Sequence, residues 1–390
     1  MARKDKKDKK VSFFTKGSPD YSILIVVLII LACGLIMVLS ASSPSSLSES
    51  GDSYKYFRKQ ATFAIGGVVA MFFVSKIDYR IYKKFIWVIY IVALGLNALT
   101  IFMGEEEGGA IRWLVLGPIN FQPSELAKIG LIIFFASILT DIKKSGNIKK
   151  FLKGFCMPMV FLAPFVGVIF GGQNHFSATF LIVAVTCIQM FIAGVLLRHF
   201  IFAGALGVLA IFAGLGVKNA IKPPEEGKQN FRFTRIQTWL DPFSDPTGEG
   251  WQIIQSLYAI ASGSLFGLGF GESRQKYLYL PEPHNDFIFA VLAEETGFVG
   301  SVAVILLFAI FVWRGIVVAM KAPDMFGSLI AIGIVALLGL QAMVNIAVVT
   351  GTIPVTGMPL PFFSYGGTAL IVNLATVGIL LNISRSCKQK

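Results

Sequence analysis

Charged residues are scarce in this chain of 390 residues, where they make up 14% of the total against 55% hydrophobic residues. A water-soluble domain carries about one-quarter charged residues, so the composition excludes a soluble globular protein. A bilayer core about 30 Å thick is crossed by roughly 20 apolar residues per helix, which leaves room for about ten membrane-spanning helices. The apolar runs are long and do not alternate with polar residues, which excludes a membrane β-barrel.

Cysteine is also rare, with only 4 residues. Cys33, Cys156 and Cys187 fall within apolar runs, and Cys387 lies in the C-terminal tail. Their separations match neither a disulfide framework nor a set of metal ligands. The sequence therefore predicts no disulfide and no metal site.

Acidic residues are fewer than basic ones, 22 against 34, and the net charge of +12 raises the question of nucleic-acid binding. Seven of the basic residues lie between Arg3 and Lys16, directly before the apolar run from Tyr21 to Leu39. This order is typical of a signal anchor, and a cleaved signal peptide is the alternative because small residues follow the run. The location of the charge predicts a lipid bilayer as partner and no nucleic acid.

Apolar runs between polar breaks predict ten membrane-spanning helices. They lie near residues 21–41, 60–75, 85–103, 124–140, 155–171, 177–197, 199–217, 284–312, 326–350 and 366–384. Lysine and arginine are concentrated in alternate connections and in the two tails, as the positive-inside rule requires if both ends are cytoplasmic. Only Arg198 and His199 separate the sixth and seventh runs, so we expect a tight helical hairpin there. The predicted fold class is an all-α polytopic membrane protein.

One long connection, residues 218–283 between helices 7 and 8, is expected on the external side despite its basic residues. Long loops cross the membrane largely regardless of charge. The charges indicate either an ordinary solvated surface or a surface that binds a phosphate-bearing ligand. The predicted organisation is a basic cytoplasmic tail (1–20), one membrane domain (21–385) with this external loop, and a cytoplasmic tail (386–390).

Ionisable residues within the predicted helices are costly and are therefore candidates for function. Glu125 and Lys128 are three residues apart near the start of the fourth helix, which predicts an ion pair on one helix face. The alternative is that Lys128 also faces a cavity and binds a second carboxylate or a phosphate. Asp286 is expected to cap the eighth helix, and of the adjacent Glu294 and Glu295 at most one should face a shared cavity.

The external loop contains two aspartates that precede proline, Asp241 and Asp245, within the segment WLDPFSDPTGEGWQ at 239–252. Asp-Pro steps favour turns, so both residues have a structural interpretation as turn formers. A functional carboxylate is the other interpretation, and the loop by itself leaves the two open.

Several motifs occur together and in order. They are GAIRW (109–113), GP (117–118), QPSELAK (122–128), DPTGEGWQ (245–252), LPE (280–282), NDFIF (285–289), EE (294–295) and PLPFFSYGG (359–367). In this combination the chain closely resembles the SEDS family of shape, elongation, division and sporulation proteins. The segment QNHFSAT (173–179) departs from the family pattern, so the role of the family's acid there cannot be transferred. His175 and Ser177 favour the FtsW-like branch, with SpoVE-like and RodA-like assignments open.

The resemblance implies a peptidoglycan glycosyltransferase that polymerises lipid II, an undecaprenyl-pyrophosphoryl disaccharide-pentapeptide. The expected partners are a class B penicillin-binding protein with transpeptidase activity and the division or elongation proteins. Such a reaction needs a base for the acceptor proton and positive charge beside the leaving pyrophosphate. The resemblance assigns the base to Asp245. The candidates for substrate binding or for orienting Asp245 are Arg112, Glu125, Lys128, Arg232, Arg235, Lys276 and Asp286.

The resemblance also places the chain in the bacterial cytoplasmic membrane, with the reaction on its outer face. No cofactor is assigned, and a divalent cation is left open. Two rival functions use the same features: a transporter that flips lipid II, and a scaffold that only recruits a transpeptidase. An alternating-access transporter should have internally repeated halves, and the sequence contains no repeat visible by inspection.

Overall fold

The computed structural model describes residues 17–107, 110–116, 119–206, 238–246, 248, 250–277 and 279–387. Residues 1–16 of the predicted N-terminal tail and residues 207–237 lie outside these ranges. The described chain is mainly helical. Its α-helices are α1 (Tyr21–Ser50), α2 (Lys55–Val74), α3 (Ile86–Met103), α4 (Pro123–Lys144), α5 (Met157–Val166), α6 (Phe176–Ala193), α7 (Leu197–Leu206), α8 (Trp251–Gly263), α9 (Ile288–Lys321), α10 (Met325–Val349) and α11 (Gly367–Ser386).

Short helical turns extend some of these elements. A 3₁₀ turn (Tyr79–Phe85) precedes α3, and π turns (Phe151–Cys156 and Gly167–Gly172) flank α5. With these turns included, eight helices in the described ranges are long and apolar enough to cross a membrane. The prediction of a helical, multi-pass membrane fold is confirmed.

Helices occur at nine of the ten predicted spans at close to full length, although α4 is not among the eight apolar ones. It carries Glu125 and Lys128 and is buried along most of its length. The remaining predicted span, the seventh (199–217), begins within α7 and extends beyond the described residues. The predicted hairpin at Arg198 and His199 is displaced: α6 ends at Ala193, the next residue Gly194 adopts the left-handed conformation, and Arg198 and His199 both lie within α7.

The start of α1 shows how the inner ends of the helices are joined. The Asp20 carboxylate accepts hydrogen bonds from the amides of Ser22 (3.0 Å) and Ile23 (3.2 Å) and so caps the helix. Its second oxygen accepts from Arg314 on α9 at 2.5 Å, and the Asp20 amide donates to Ser384 on α11 at 2.9 Å. Three helix ends therefore meet at the side that the sequence predicts to be cytoplasmic.

A small antiparallel sheet was not predicted. Its strands are β1 (Glu105–Glu107), β2 (Ala110–Leu116) and β3 (Ile119–Phe121), in that order, within the connection from α3 to α4. The Ile111 amide of β2 donates to the Gln173 carbonyl at 3.1 Å, which fixes the sheet against the segment that precedes α6. The sheet therefore positions Arg112 beside the beginning of α6.

Helix α9 is broken near its outer end. Gly297 has φ 68° and ψ −167°, a conformation that is essentially restricted to glycine. The break frees backbone groups that a continuous helix would pair, and the chain that follows α8 satisfies them. The amides of Leu268 and Gly269 donate to the carbonyls of Glu294 and Glu295 at 3.0 and 3.1 Å. Helix α8 and the first part of α9 are thereby joined through their backbones.

Candidate functional site

Asp245 lies in a tight turn directly before α8. A 3₁₀ turn (Pro242–Ser244) leads into it, and the Gly248 amide donates to Asp245 Oδ1 at 3.1 Å. The Gly250 amide donates to the Asp245 carbonyl at 3.2 Å, and α8 begins at the next residue. A side chain at Gly248 would collide with the carboxylate, so a substitution there would displace it. The carboxylate is half-buried, whereas Asp241 is exposed and lies at the start of the 3₁₀ turn.

Glu125 and Lys128 form the predicted ion pair, with Lys128 Nζ 2.8 Å from Glu125 Oε1. Both side chains are buried in the first turns of α4, with Lys128 3% exposed and Glu125 7% exposed. Pro123 begins the helix, where a missing amide costs nothing, and Glu125 complements the positive end of the helix dipole. The pair satisfies one donor of an ammonium that has three.

His175 precedes α6 and is the group that brings two predicted site residues together. Burial is the main cause that lowers the pKa of the imidazole to about 3, and the positive charges of Arg112 and Lys128 lower it further. The imidazole is 8% exposed, and its Nδ1 has no hydrogen-bond partner among the described residues. Arg112, Lys128 and a neutral His175 therefore form one basic cluster at the starts of α4 and α6, where the positive ends of helix dipoles favour an anion.

The non-helical segment 351–366 lies between the basic cluster and the Asp245 turn. Trp239 Nε1 donates to the Gly351 carbonyl at 2.8 Å, and the Ser177 hydroxyl of α6 donates to the Thr356 carbonyl. Five extended residues span at most about 18 Å, which limits the separation of these two contacts. On α10, Asn345 donates to the Met358 carbonyl at 2.7 Å and holds the segment from the membrane side.

Asp286 does not cap the eighth predicted helix. That helix, α9, begins at Ile288, and Phe287 occupies the capping position. The prediction is wrong because it placed the start of the helix too early in the chain. The Asp286 carbonyl accepts from Asn345 at 2.7 Å. Its carboxylate faces Gly357, since a Cβ there would lie 3.3 Å from Asp286 Oδ2. Asp286 is thus packed against the 351–366 segment.

Lys276 lies in a different cluster, beside α1. Its ammonium donates to the hydroxyl of Ser40 (2.9 Å), the carbonyl of Gly271 (2.6 Å) and Glu295 Oε1 (2.9 Å). Lys276 and Glu295 are both buried, and Ser40 also donates to Glu295 Oε1 at 2.5 Å. The cluster borders a cavity of about 230 Å³ between α1 and the chain around residues 270–277.

Glu294 binds the same chain segment as its neighbour. One oxygen accepts from the Arg274 amide at 3.0 Å, and the other accepts from the Ser273 hydroxyl and from the Gln275 amide at 3.3 Å. Both glutamates therefore contact one chain segment, and the expectation that at most one of them faces a shared cavity stays a prediction. The segment folds across the outer half of α9 and reaches both carboxylates.

Two predicted site residues, Arg232 and Arg235, lie outside the described residues. Within the described ranges, no group of three histidine, cysteine or acidic residues is placed to bind a metal ion. Ser40 was not predicted, because a lone serine in an apolar run gives no signal until its partners more than 200 residues away are known.

Comparisons with known proteins agree over nearly the whole chain. The family model described as "Cell cycle protein", built on FtsW, RodA and SpoVE, matches residues 20–389. Stage V sporulation protein E of Bacillus subtilis (strain 168) is 41% identical over 95% of this chain and 98% of its own length. A probable peptidoglycan glycosyltransferase FtsW from Geobacter sp. (strain M18) is 39% identical over 93% and 96%.

A solved structure has the same fold. It is described as the structural coordination of polymerization and crosslinking by a peptidoglycan synthase complex. The superposition has a TM-score of 0.75 at 30% identity and covers 94% of this chain and 98% of that one.

Proposed function

This chain belongs to the FtsW/RodA/SpoVE family and is a peptidoglycan glycosyltransferase, and we propose that it polymerises lipid II with Asp245 as general base. The observation that carries the proposal is the Asp245 turn. A half-buried carboxylate is fixed by the Gly248 amide before α8, close to a segment that also contacts the start of α6. A base must be held in place and remain accessible to substrate, and this turn meets both conditions.

In the proposed reaction, a sugar hydroxyl of one lipid II molecule bonds to the anomeric carbon of another. The Asp245 carboxylate takes the hydroxyl proton as that bond forms. The bond from the anomeric carbon to the pyrophosphate oxygen breaks, and its electron pair leaves with undecaprenyl pyrophosphate. All atoms and charges are accounted for without a further reactant.

The leaving pyrophosphate needs compensating positive charge, and the basic cluster of Arg112 and Lys128 supplies it. Lys128 is buried and, among the residues that the structure describes, donates one hydrogen bond, to Glu125. Two donors of its ammonium therefore remain for phosphate oxygens. In a water-poor site such charge-assisted bonds are stronger than at an exposed surface.

Asp245→Asn tests the base directly, because asparagine retains the size and turn preference of aspartate but cannot take the proton. We expect a loss of about a hundredfold to ten-thousandfold in glycan synthesis from purified lipid II. The matched control is Asp241→Asn in the other Asp-Pro step, which should change the rate little. Protein accumulation in the membrane should be normal for both variants.

The same assay separates the rival functions. A scaffold or a flippase would leave lipid II unpolymerised in the wild-type protein, with or without its partner. Glycan synthesis by Asp245→Asn at the wild-type rate, or equal damage from Asp241→Asn, would remove the reason to assign Asp245 as base.

We also propose that a class B penicillin-binding protein and the division or elongation proteins are the partners. The similarity to a complex that combines polymerization and crosslinking supports the transpeptidase partner. The proposed location is the bacterial cytoplasmic membrane with both termini inside. In a cysteine-free background, an impermeant thiol reagent applied to spheroplasts should label a cysteine at Lys228 and spare one at Lys150. The opposite pattern would invert the topology.

A further inference from the structure

Lys276 was a candidate ligand for the pyrophosphate, but its surroundings indicate another role. An ammonium has three N–H donors, and all three are used here within the protein, by Ser40, Gly271 and Glu295. The side chain is 3% exposed and its charge is balanced by a fully buried carboxylate. No donor remains for a phosphate oxygen, so the contacts of Lys276 join α1, the 271–276 segment and α9.

The same segment is held a second time by Glu294. Its carboxylate accepts from the backbone amides of Arg274 and Gln275, which closes the turn that carries Lys276. The neighbouring chain is bound through its backbone to the break in α9, because the amides of Phe298 and Val299 donate to the carbonyls of residues 264 and 265 at 2.9 and 3.1 Å. The segment is therefore attached to α9 by side chains and by main chain.

A series of hydrogen bonds leads from this segment to Asp245. The Trp251 indole, at the first residue of α8, donates to the Tyr279 carbonyl at 2.6 Å. The Trp251 amide donates to the Gly248 carbonyl at 3.1 Å, and the Gly248 amide donates to Asp245 Oδ1 at 3.1 Å. Movement of residue 279 would therefore move the start of α8 and the turn that orients the carboxylate.

We propose that Ser40, Lys276, Glu294 and Glu295 form a buried clamp that fixes the 271–276 segment and, through Tyr279 and Trp251, the position of Asp245. These four are positioning residues rather than ligands of the substrate. The consequence for catalysis rests on the proposed function, in which Asp245 is the base. The consequence for the conformation of the Asp245 turn does not depend on that function.

Hydrogen exchange of the full-length protein in detergent tests the conformational part. In Lys276→Met and Glu294→Gln, the amides of Arg274, Gln275, Gly248 and Gly250 should exchange at least tenfold faster than in the wild type. The control is Lys83→Met, which breaks an exposed pair with Asp141 at the opposite side of the molecule and should change none of these rates. Unchanged exchange at Gly248 and Gly250 in both clamp variants would overturn the proposal.

Kinetics of lipid II polymerisation test the positioning role against direct substrate contact. Lys276→Met leaves the Glu295 carboxylate buried with only Ser40 beside it, and we expect kcat to fall about tenfold while KM changes less than twofold. Replacement of both charges in Lys276→Met/Glu295→Met removes the unpaired carboxylate and should restore at least half of the lost kcat. Glu295→Gln leaves the Lys276 ammonium buried without its counter-charge, so we expect kcat to fall to a similar extent with KM again little changed.

A double variant as impaired as Lys276→Met, with KM raised in both, would show that Lys276 contacts substrate and would overturn the clamp. Failure of the base assignment has a different signature, because Asp245→Asn would then be active. The exchange rates at Gly248 and Gly250 would still decide whether the clamp fixes the turn.

Discussion

Two buried lysine–glutamate pairs of nearly equal length occupy different places in this molecule. Lys128 and Glu125 are 2.8 Å apart on one turn of α4, whereas Lys276 and Glu295 are 2.9 Å apart and join separate segments. Among the residues that the structure describes, Lys128 donates one hydrogen bond and Lys276 donates three. The comparison teaches that burial and pairing alone do not identify a ligand-binding lysine. The number of donors that remain does.

The two pairs also differ in what their loss should do. A buried charge without a partner costs about 3–5 kcal/mol, so either lysine is costly to remove alone. Loss of Lys276 should weaken the contacts between α1, α9 and the segment before α9. Loss of Lys128 should disturb the basic cluster that includes Arg112 and His175.

The largest effect should come from Lys128→Met. We expect about a hundredfold loss of glycan synthesis or more, because a preorganised charge beside the leaving pyrophosphate is removed. The addition of Glu125→Gln, which relieves the unpaired carboxylate, should not restore activity. This contrasts with the rescue expected for Lys276→Met/Glu295→Met. Recovery of polymerisation by Lys128→Met/Glu125→Gln would show that Lys128, like Lys276, has a structural role and does not bind the pyrophosphate.

A smaller effect should follow from Gly297→Ala, which disturbs the backbone hydrogen bonds between the break in α9 and the chain after α8. A side chain is strained at the φ and ψ of this residue, and its Cβ would collide with the backbone of Leu265 and Gly267. We expect a loss of about 1–3 kcal/mol in stability, measured as a lower Tm in detergent, and a reduced kcat.

The matched control for this variant is Gly95→Ala in α3, where a Cβ would meet no other atom within 4 Å. Its Tm should be unchanged or slightly higher, because alanine favours a helix. Equal Tm values for the two alanine variants would indicate that the break in α9 is not fixed by Gly297.

The smallest effect at neutral pH concerns His175 in the basic cluster. Burial and the charges of Arg112 and Lys128 lower its folded-state pKa to about 3, whereas the unfolded imidazole titrates near 6.5. Between these values the unfolded state binds the proton and the folded state does not. Stability is therefore lost as the pH falls below about 6.5, by at most about 1.4 kcal/mol per pH unit.

The variant His175→Asn should flatten the acid side of a plot of Tm against pH from 6.5 to 4. The wild-type protein measured in the same buffers is the reference, because other groups titrate in both proteins. Parallel curves over this range would show that His175 is not buried in its neutral form.

Much of the fold follows from the sequence, because the bilayer acts on the chain locally. Each span needs about 20 apolar residues in succession, and such runs are visible without knowledge of their neighbours. The predicted runs at 326–350 and 366–384 differ by only one or two residues at each end from α10 and α11. The ion pair of Glu125 and Lys128 could also be predicted from the sequence, because residues three apart share one helix face whatever surrounds them.

The tertiary structure decided the features that depend on distant partners. Ser40 and Glu295 are 255 positions apart in the chain, and no periodicity relates them. The break at Gly297 is stable only because the chain after α8 supplies hydrogen-bond partners for the freed groups. The same holds for Lys276, which the sequence presents as one more basic residue of an external loop. Its partners are brought together by packing, and packing determines which of its donors remain for a ligand.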